Sequence, residues 1–265
     1  MKKVIISGFS GGMGLETTKK LTNNGYFVYG LDIKSPDEEL ENTKFIKTDI
    51  RDLESIKNAY QIVSKECDEI ELIISMAGAY TFNSLVEMSE EEFINIFNIN
   101  VFGVYRLNKV FLPLLKKKGK VVIVSSELAT TDPLPFTGLY GVTKSTLEKY
   151  AYSLRMELQL IDYQVSIIRP GAVETRFIEA SNKAIEQFSN NTVMYQHIAE
   201  RYKKVIGSIE SKTIKTNKIA NIVCKIANKK KPRYVYKINR NPLLLLMNIL
   251  PKRFQNWVIK KILIG

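Results

Sequence analysis

Apolar residues in the first 170 positions fall into short continuous runs separated by longer amphipathic stretches. The runs KVIIS (3–7), YFVYGL (26–31), KFIKT (44–48), ELIIS (71–75), KVVIVS (120–125) and QVSIIR (164–169) predict strands. Their apolar residues are consecutive rather than alternating, as expected of strands covered on both faces. Helical spacing predicts helices over 13–24, 52–66, 137–160 and 217–230, and a further strand at 233–238. Alternation of this kind predicts an α/β fold. Its form is a Rossmann-type doubly wound parallel sheet of about seven strands with helices on both faces. Residues 176–215 break the alternation and read as an inserted loop with helical pieces.

Composition narrows the picture. With 265 residues, 45% hydrophobic and 25% charged, the chain suits one globular domain, expected over 1–240, followed by a tail at 241–265. The net charge of +12 is uneven: from Lys212 onward there are fourteen Lys or Arg and no Asp or Glu. No apolar run approaches the roughly 18 residues of a membrane span. The opening MKK leads straight into a strand, so no signal peptide is expected. The two cysteines, Cys67 and Cys224, show neither a disulfide framework nor metal-ligand spacing. A reducing, cytoplasmic setting without a metal site is therefore expected.

The stretch VIISGFSGGMGLE (4–16) sets Gly8, Gly12 and Gly14 between a strand and a helix. Glycines there permit a tight bend and close approach of main-chain N–H groups to a pyrophosphate at a helix N-terminus, although a plain turn also accounts for them. Asp32, eighteen residues after Gly14, closes the second strand. A carboxylate at that place accepts hydrogen bonds from ribose hydroxyls and repels a 2′-phosphate, favouring NAD. The neighbouring Lys34 leaves NADP open.

In GLYGVTKS, Tyr140 and Lys144 stand four apart on one helical face. A lysine ammonium beside a phenol lowers its pKa and fits it for proton transfer near neutrality. Ser125 and Ser126 lie just upstream, at a strand end.

Taken together, these residues resemble the short-chain dehydrogenase/reductase family from about residue 3 to residue 236. The resemblance rests on Ser7-Gly8-x-x-x-Gly12-x-Gly14, Asp32, Asp49, MAG at 76–78, Asn100, Ser126, Tyr140, Lys144 and RPGAVET at 169–175. It implies an oxidoreductase that transfers hydride between a nicotinamide cofactor and an alcohol or ketone. The implied catalytic set is Asn100, Ser126, Tyr140 and Lys144. Tyr140 is the acid/base, Ser126 holds the substrate oxygen, and Asn100 anchors a water in the proton relay. The gap from Ser126 to Tyr140 is one residue longer than the family's, which implies an insertion, and leaves Ser125 as a second candidate. The implied cofactor contacts are Gly8, Ser10, Gly12, Met13, Gly14, Asp32, Asp49, Ile50, Ala77, Gly78, Tyr140, Lys144, Pro170, Gly171, Val173 and Thr175. Ser75 and Met76 stand where the family has two asparagines, which removes amides that would brace the sheet. A homodimer or homotetramer is also implied. The rival readings are an NAD-binding sensor or scaffold without turnover, and a membrane-surface interaction protein directed by the tail.

Following the last cofactor turn, 176–215 takes the place of a substrate lid. Phe177, Ile178, Phe188, Val193, Met194 and Tyr195 there suit either an apolar wall for a hydrophobic substrate or ordinary core. The only histidine, His197, reads as a surface residue. The tail, with aliphatic residues at 243–250 and Trp257 among Lys252, Arg253, Lys260 and Lys261, suits either peripheral contact with a membrane or packing on the lid or a partner. Its basic residues lack the aromatic interleaving of a nucleic-acid site, so no nucleic-acid partner is expected.

Overall fold

The computed structural model describes residues 1–209 and 213–264, with the side chains of 176–180 and 205–209 outside the description. Seven strands form one parallel sheet: β1 (Lys2–Ser7), β2 (Tyr26–Asp32), β3 (Thr43–Lys47), β4 (Ile70–Ser75), β5 (Leu115–Val124), β6 (Gln164–Pro170) and β7 (Val235–Ile238). Their order across the sheet is β3-β2-β1-β4-β5-β6-β7, so the chain reverses direction between β1 and β4. In open sheets of this kind ligands bind at that point, beyond the carboxyl ends of the strands.

Successive residues of each strand feed opposite faces, which explains the continuous apolar runs. Ile5, Ile73, Val121 and Ile167 pack on one face against α2 (Leu53–Ser64), α4 (Gly103–Phe111) and α5 (Gly138–Leu158). Val4, Ile6, Leu72, Ile74 and Val122 pack on the other, against α1 (Gly12–Thr22) and α8 (Asn217–Asn228). α3 (Glu90–Phe97) runs into α4 through a π-helical turn at Asn98–Phe102.

β5 begins five residues earlier than its pattern predicts. A register shift between Ile70 and Leu72 of β4 absorbs the lysines at 116–118, outside the apolar part of the sheet. The expected insertion at 176–215 is built largely of helix: α6 (Arg176–Asn191), a turn, and α7 (Gln196–Ile209). The tail holds α9 (Pro242–Ile249) and α10 (Lys252–Ile264). Leu263 of α10 is buried with Phe82, Ile185, Phe188, Ala199 and Tyr202 in a third apolar cluster. The tail therefore packs on α6 and α7 with one of its faces.

Candidate active site

The glycine loop is a close-packed cradle. Gly8 adopts φ +76°, a left-handed conformation suited to glycine, and a Cβ there would lie 2.6 Å from the Ala77 nitrogen. A Cβ on Gly14 would lie 2.0 Å from the Gly8 carbonyl oxygen, so α1 sits directly on the turn. At Gly12 it would lie 3.3 Å from Thr175 Cγ2, which brings the 169–175 turn to the loop. No side chain caps α1, whose N-cap is Gly11 and whose first turn carries no acidic residue. Uncapped N–H groups beside glycines fit a phosphate chemically. Met13 packs behind them on the second core cluster.

Asp32 ends β2 beside this loop. Its Oδ2 accepts the Ser10 N–H at 3.0 Å and its Oδ1 accepts the Ile33 N–H at 2.7 Å. The Ser10 hydroxyl donates to the Lys34 carbonyl at 2.6 Å. Asp49, beyond β3, is held by Arg51, whose Nη2 donates at 2.7 Å and whose hydrogen bonds keep the carboxyl below its ordinary range. Ile50 is buried, and a Cβ on Gly103 would come within 2.7 Å of its Cδ1. Where the sequence lacks two asparagines, the Met76 N–H donates to the Ser7 carbonyl at 3.0 Å, so main chain links β1 to the turn after β4. The buried Ser75 hydroxyl has no hydrogen-bond partner. After β6, the Gly171 N–H donates to the Ile238 carbonyl at 2.9 Å. Pro170 ends the strand, and Val173 bridges to Ile214.

Tyr140 and Lys144 lie on α5, both buried, with the Lys144 Nζ 5.6 Å from the centre of the Tyr140 ring. The Ser126 hydroxyl hydrogen-bonds Tyr140 and favours its phenolate. It also accepts the Leu128 N–H at 3.2 Å. Ser125 is buried with no hydrogen-bond partner for its hydroxyl, so of the two serines it is Ser126 that meets the tyrosine. One sequence expectation needs correction. Lys144 was expected to lower the Tyr140 pKa, yet in the protein alone burial dominates and pushes that phenol up. Burial also lowers Lys144, to about 8. Its Nζ reaches the Val124 carbonyl at 3.4 Å, and Glu148, one turn on, is bound in a fork by Arg169 at 2.8 Å.

Asn100 lies in the π-helical turn, fully buried. Its amide donates to the Ala79 carbonyl at 2.9 Å and to the Thr143 hydroxyl at 3.1 Å, and its Oδ1 accepts the Ala79 N–H at 2.9 Å. This side chain thus joins the turn after β4 to α5. A Cβ on Gly78 would lie 3.3 Å from that Oδ1 and 3.4 Å from the Lys144 Nζ, so Gly78 keeps the site open.

Sequence reasoning missed the aromatic wall. The Tyr80 ring lies 5.0 Å from that of Tyr140, and Phe82 and Phe136 continue the wall to Phe188 of α6 and Tyr202 of α7. The signal was AYTF at 79–82, aromatic residues directly after a strand end on the ligand side of the sheet. Of the residues expected to form the wall, Phe188 is buried and Tyr195 packs on Phe136 at 5.0 Å. Val193 and Met194 do not belong to it: they sit in the turn between α6 and α7, 79% and 61% exposed. Phe177 and Ile178 lie outside the described side chains. His197 is exposed, as expected.

A family model described as short chain dehydrogenase matches residues 2–186. The chain belongs to the short-chain dehydrogenases. It is therefore an NAD(P)-dependent oxidoreductase acting on carbonyl or hydroxyl groups, and a sensor or scaffold without turnover is not favoured. It is 26% identical to a 3-ketodihydrosphingosine reductase of Bacteroides thetaiotaomicron over 96% of this chain and 92% of the relative. It is 28% identical to the probable short-chain type dehydrogenase/reductase VdlC of Helicobacter pylori, over 98% and 97% of the two chains. A crystal structure of a short chain dehydrogenase family protein from Francisella tularensis shares the fold, with a TM-score of 0.74. Its identity is 21%, over 90% of this chain and 97% of that one.

Proposed function

We propose that this dehydrogenase interconverts an apolar, lipid-like ketone and its alcohol, with Tyr140 as proton donor and acceptor. The observation that carries the reading is the buried contact of Tyr140 with Ser126 beside the aromatic wall begun by Tyr80. In reduction, the Tyr140 hydroxyl gives its proton to the substrate oxygen while the Ser126 hydroxyl donates a hydrogen bond to the same oxygen. The phenolate left behind is stabilised by the protonated Lys144. In oxidation, Tyr140 takes the proton back. Asn100 acts through position, fixing the turn after β4 against α5.

The glycine cradle and uncapped helix fit a dinucleotide, which when bound supplies or accepts the hydride. Gly8, Ser10, Gly12, Met13 and Gly14 would hold its pyrophosphate, Asp32 its adenosine ribose, and Asp49 and Ile50 its adenine. Ala77, Gly78, Tyr140, Lys144, Pro170, Gly171, Val173 and Thr175 would line its nicotinamide half. Asp32 supports NAD over NADP, because a carboxylate at the ribose repels a further phosphate. Support for an apolar substrate comes from the wall, and the Bacteroides relative carries the name of a reductase of 3-ketodihydrosphingosine.

Exposed Tyr105, Val142, Tyr152 and Met156 on α4 and α5 support a homodimer or homotetramer. The buried free thiols Cys67 and Cys224 support a cytoplasmic setting. Turnover of long-chain and short-chain ketones with NADH and NADPH tests the reading. Long-chain ketones with NADH should give the highest kcat/KM, and a preference for small polar ketones would overturn the substrate class.

A further inference from the structure

The tail has two faces of opposite character. On α10, Gln255, Ile259 and Leu263 recur at helical spacing and face the body, where Gln255 donates to Asp132 at 2.9 Å and Leu263 enters the lid cluster. On α9, the Asn248 amide donates to the Thr130 carbonyl at 3.1 Å. Those contacts fix the orientation of both helices.

The opposite face is apolar and exposed. Leu246 and Ile249 of α9 are 58% and 81% exposed, and Phe254 and Trp257 of α10 are 47% and 56% exposed. The Phe254 and Trp257 rings stack on each other with centres 5.6 Å apart, in the open. Apolar clusters of this kind on an outer surface mark an interaction site. The flanking charge identifies the partner. Arg253, Lys260 and Lys261 are exposed around the cluster, and no Asp or Glu occurs from Lys212 onward. Lys261 falls on the Phe254–Trp257 line, where its long stem lies along an apolar layer and its ammonium reaches the headgroups. No described helix is long and apolar enough to cross a membrane, so the contact is one of a helix lying in the interface plane.

We propose that the outer face of α9 and α10 docks reversibly on an anionic lipid bilayer. The inner face of α10 backs the lid cluster, whose Phe82 and Phe136 belong to the wall beside Tyr140. Docking therefore places the substrate side of the molecule next to the lipid phase. The inference uses no residue of the cofactor cradle or the proton-transfer set, and holds or fails independently of the redox reading.

Trp257 is the only tryptophan of the chain, so its emission reports on this face directly. Full-length protein is mixed at low salt with vesicles of phosphatidylcholine alone or of phosphatidylcholine with phosphatidylglycerol, and the same samples are floated on a density gradient. The expected result is a blue shift and co-flotation with the anionic vesicles only. Binding should weaken by about tenfold or more in high salt, since exposed charges act within roughly 8 Å at physiological ionic strength. Leu246→Glu with Ile249→Glu, and separately Lys260→Glu with Lys261→Glu, should abolish flotation while leaving the melting temperature and the turnover of a water-soluble ketone unchanged. Equal binding to neutral vesicles would overturn the anionic assignment. An unshifted Trp257 with no flotation would overturn docking altogether. A blue shift that follows protein concentration without vesicles, lost in the Leu246/Ile249 variant together with its dimer in light scattering, would make the face a self-interface instead.

Discussion

Glu127, the residue after Ser126, accepts the Asn241 main-chain N–H at 2.7 Å from the far end of the chain. A Cβ on Gly171 would lie 2.8 Å from the other carboxylate oxygen, so Glu127 is enclosed by the turn after β6 and the segment entering α9. The chain beside Ser126 and the tail are thereby joined through one buried carboxylate.

Burial pushes the Glu127 carboxyl up, against the opposing pull of the Asn241 N–H and of Arg240. The folded chain then retains a proton that the unfolded chain releases. That contribution to stability is present below the ordinary carboxylate range and lost as pH rises through the folded value. Glu127→Gln keeps an acceptor for Asn241 but cannot ionise. Its melting temperature relative to the unaltered protein should climb as pH rises above the ordinary carboxylate range. A difference independent of pH in thermal melts would show that this ionisation is not coupled to folding.

Tyr140→Phe removes the proton-transferring hydroxyl and leaves the ring against Tyr80. Ser126 keeps its hydrogen bond from the Leu128 N–H. Turnover should fall by about 10²-fold or more, the scale of general acid–base catalysis. NAD affinity by calorimetry should stay within a few-fold. Turnover near that of the unaltered enzyme would place the acid/base elsewhere.

Much of this was legible in the sequence, for a physical reason. Strands covered on both faces must be apolar at consecutive positions, and six such runs marked six of the seven strands. Glycine spacing was equally direct, because a Cβ at Gly8 or Gly14 meets main chain that cannot give way. Tertiary properties were hidden. The pKa of Tyr140 depends on how deeply it is buried, which Y-x-x-x-K spacing does not encode. The wall joins Tyr80, Phe136 and Tyr202 from three separated segments, and no local pattern links them. Nor could the tail's periodicity show that Gln255 and Leu263 find partners while Trp257 does not face the body.

Gly14→Ala tests the cradle. Its Cβ would meet the Gly8 carbonyl, so α1 must move off the turn, at about 1–3 kcal/mol for overpacking. Cofactor affinity should drop by at least ~10-fold, about 1.4 kcal/mol. Gly25→Ala is the control: it has φ +77° and no neighbour within 4 Å of an added Cβ. It should lose roughly 1–2 kcal/mol through backbone strain alone, with NAD binding intact. Equal effects of the two on NAD binding would sink the cradle argument.

For cofactor choice, Asp32→Ala removes the carboxylate that would face a 2′-phosphate and also the acceptor of the Ser10 N–H. NAD should bind more tightly than NADP to the unaltered protein, and the gap should narrow by about tenfold or more in the variant. An NADP preference in the unaltered protein, read by calorimetric titration, would overturn the assignment.

Lys144 is held at about 8, against an ordinary 10.5, because its ammonium is buried. Between those values the unfolded chain keeps a proton that the folded chain has lost, so stability rises with pH across that window. Below about pH 8 the full cost of burying the charge is present, on the order of 3–4 kcal/mol at 1.36 kcal/mol per pH unit. Lys144→Met fills a similar volume without the charge. Turnover should be lost, since the Tyr140 phenolate loses its stabilising cation. Stability at pH 7 should nevertheless increase, by an amount that fades as pH is raised toward about 10. Denaturant unfolding of both proteins at several pH values gives the difference directly. A variant less stable at pH 7, with unchanged unfolding cooperativity, would mean that the contact with the Val124 carbonyl and the field of Glu148 outweigh the cost of burial.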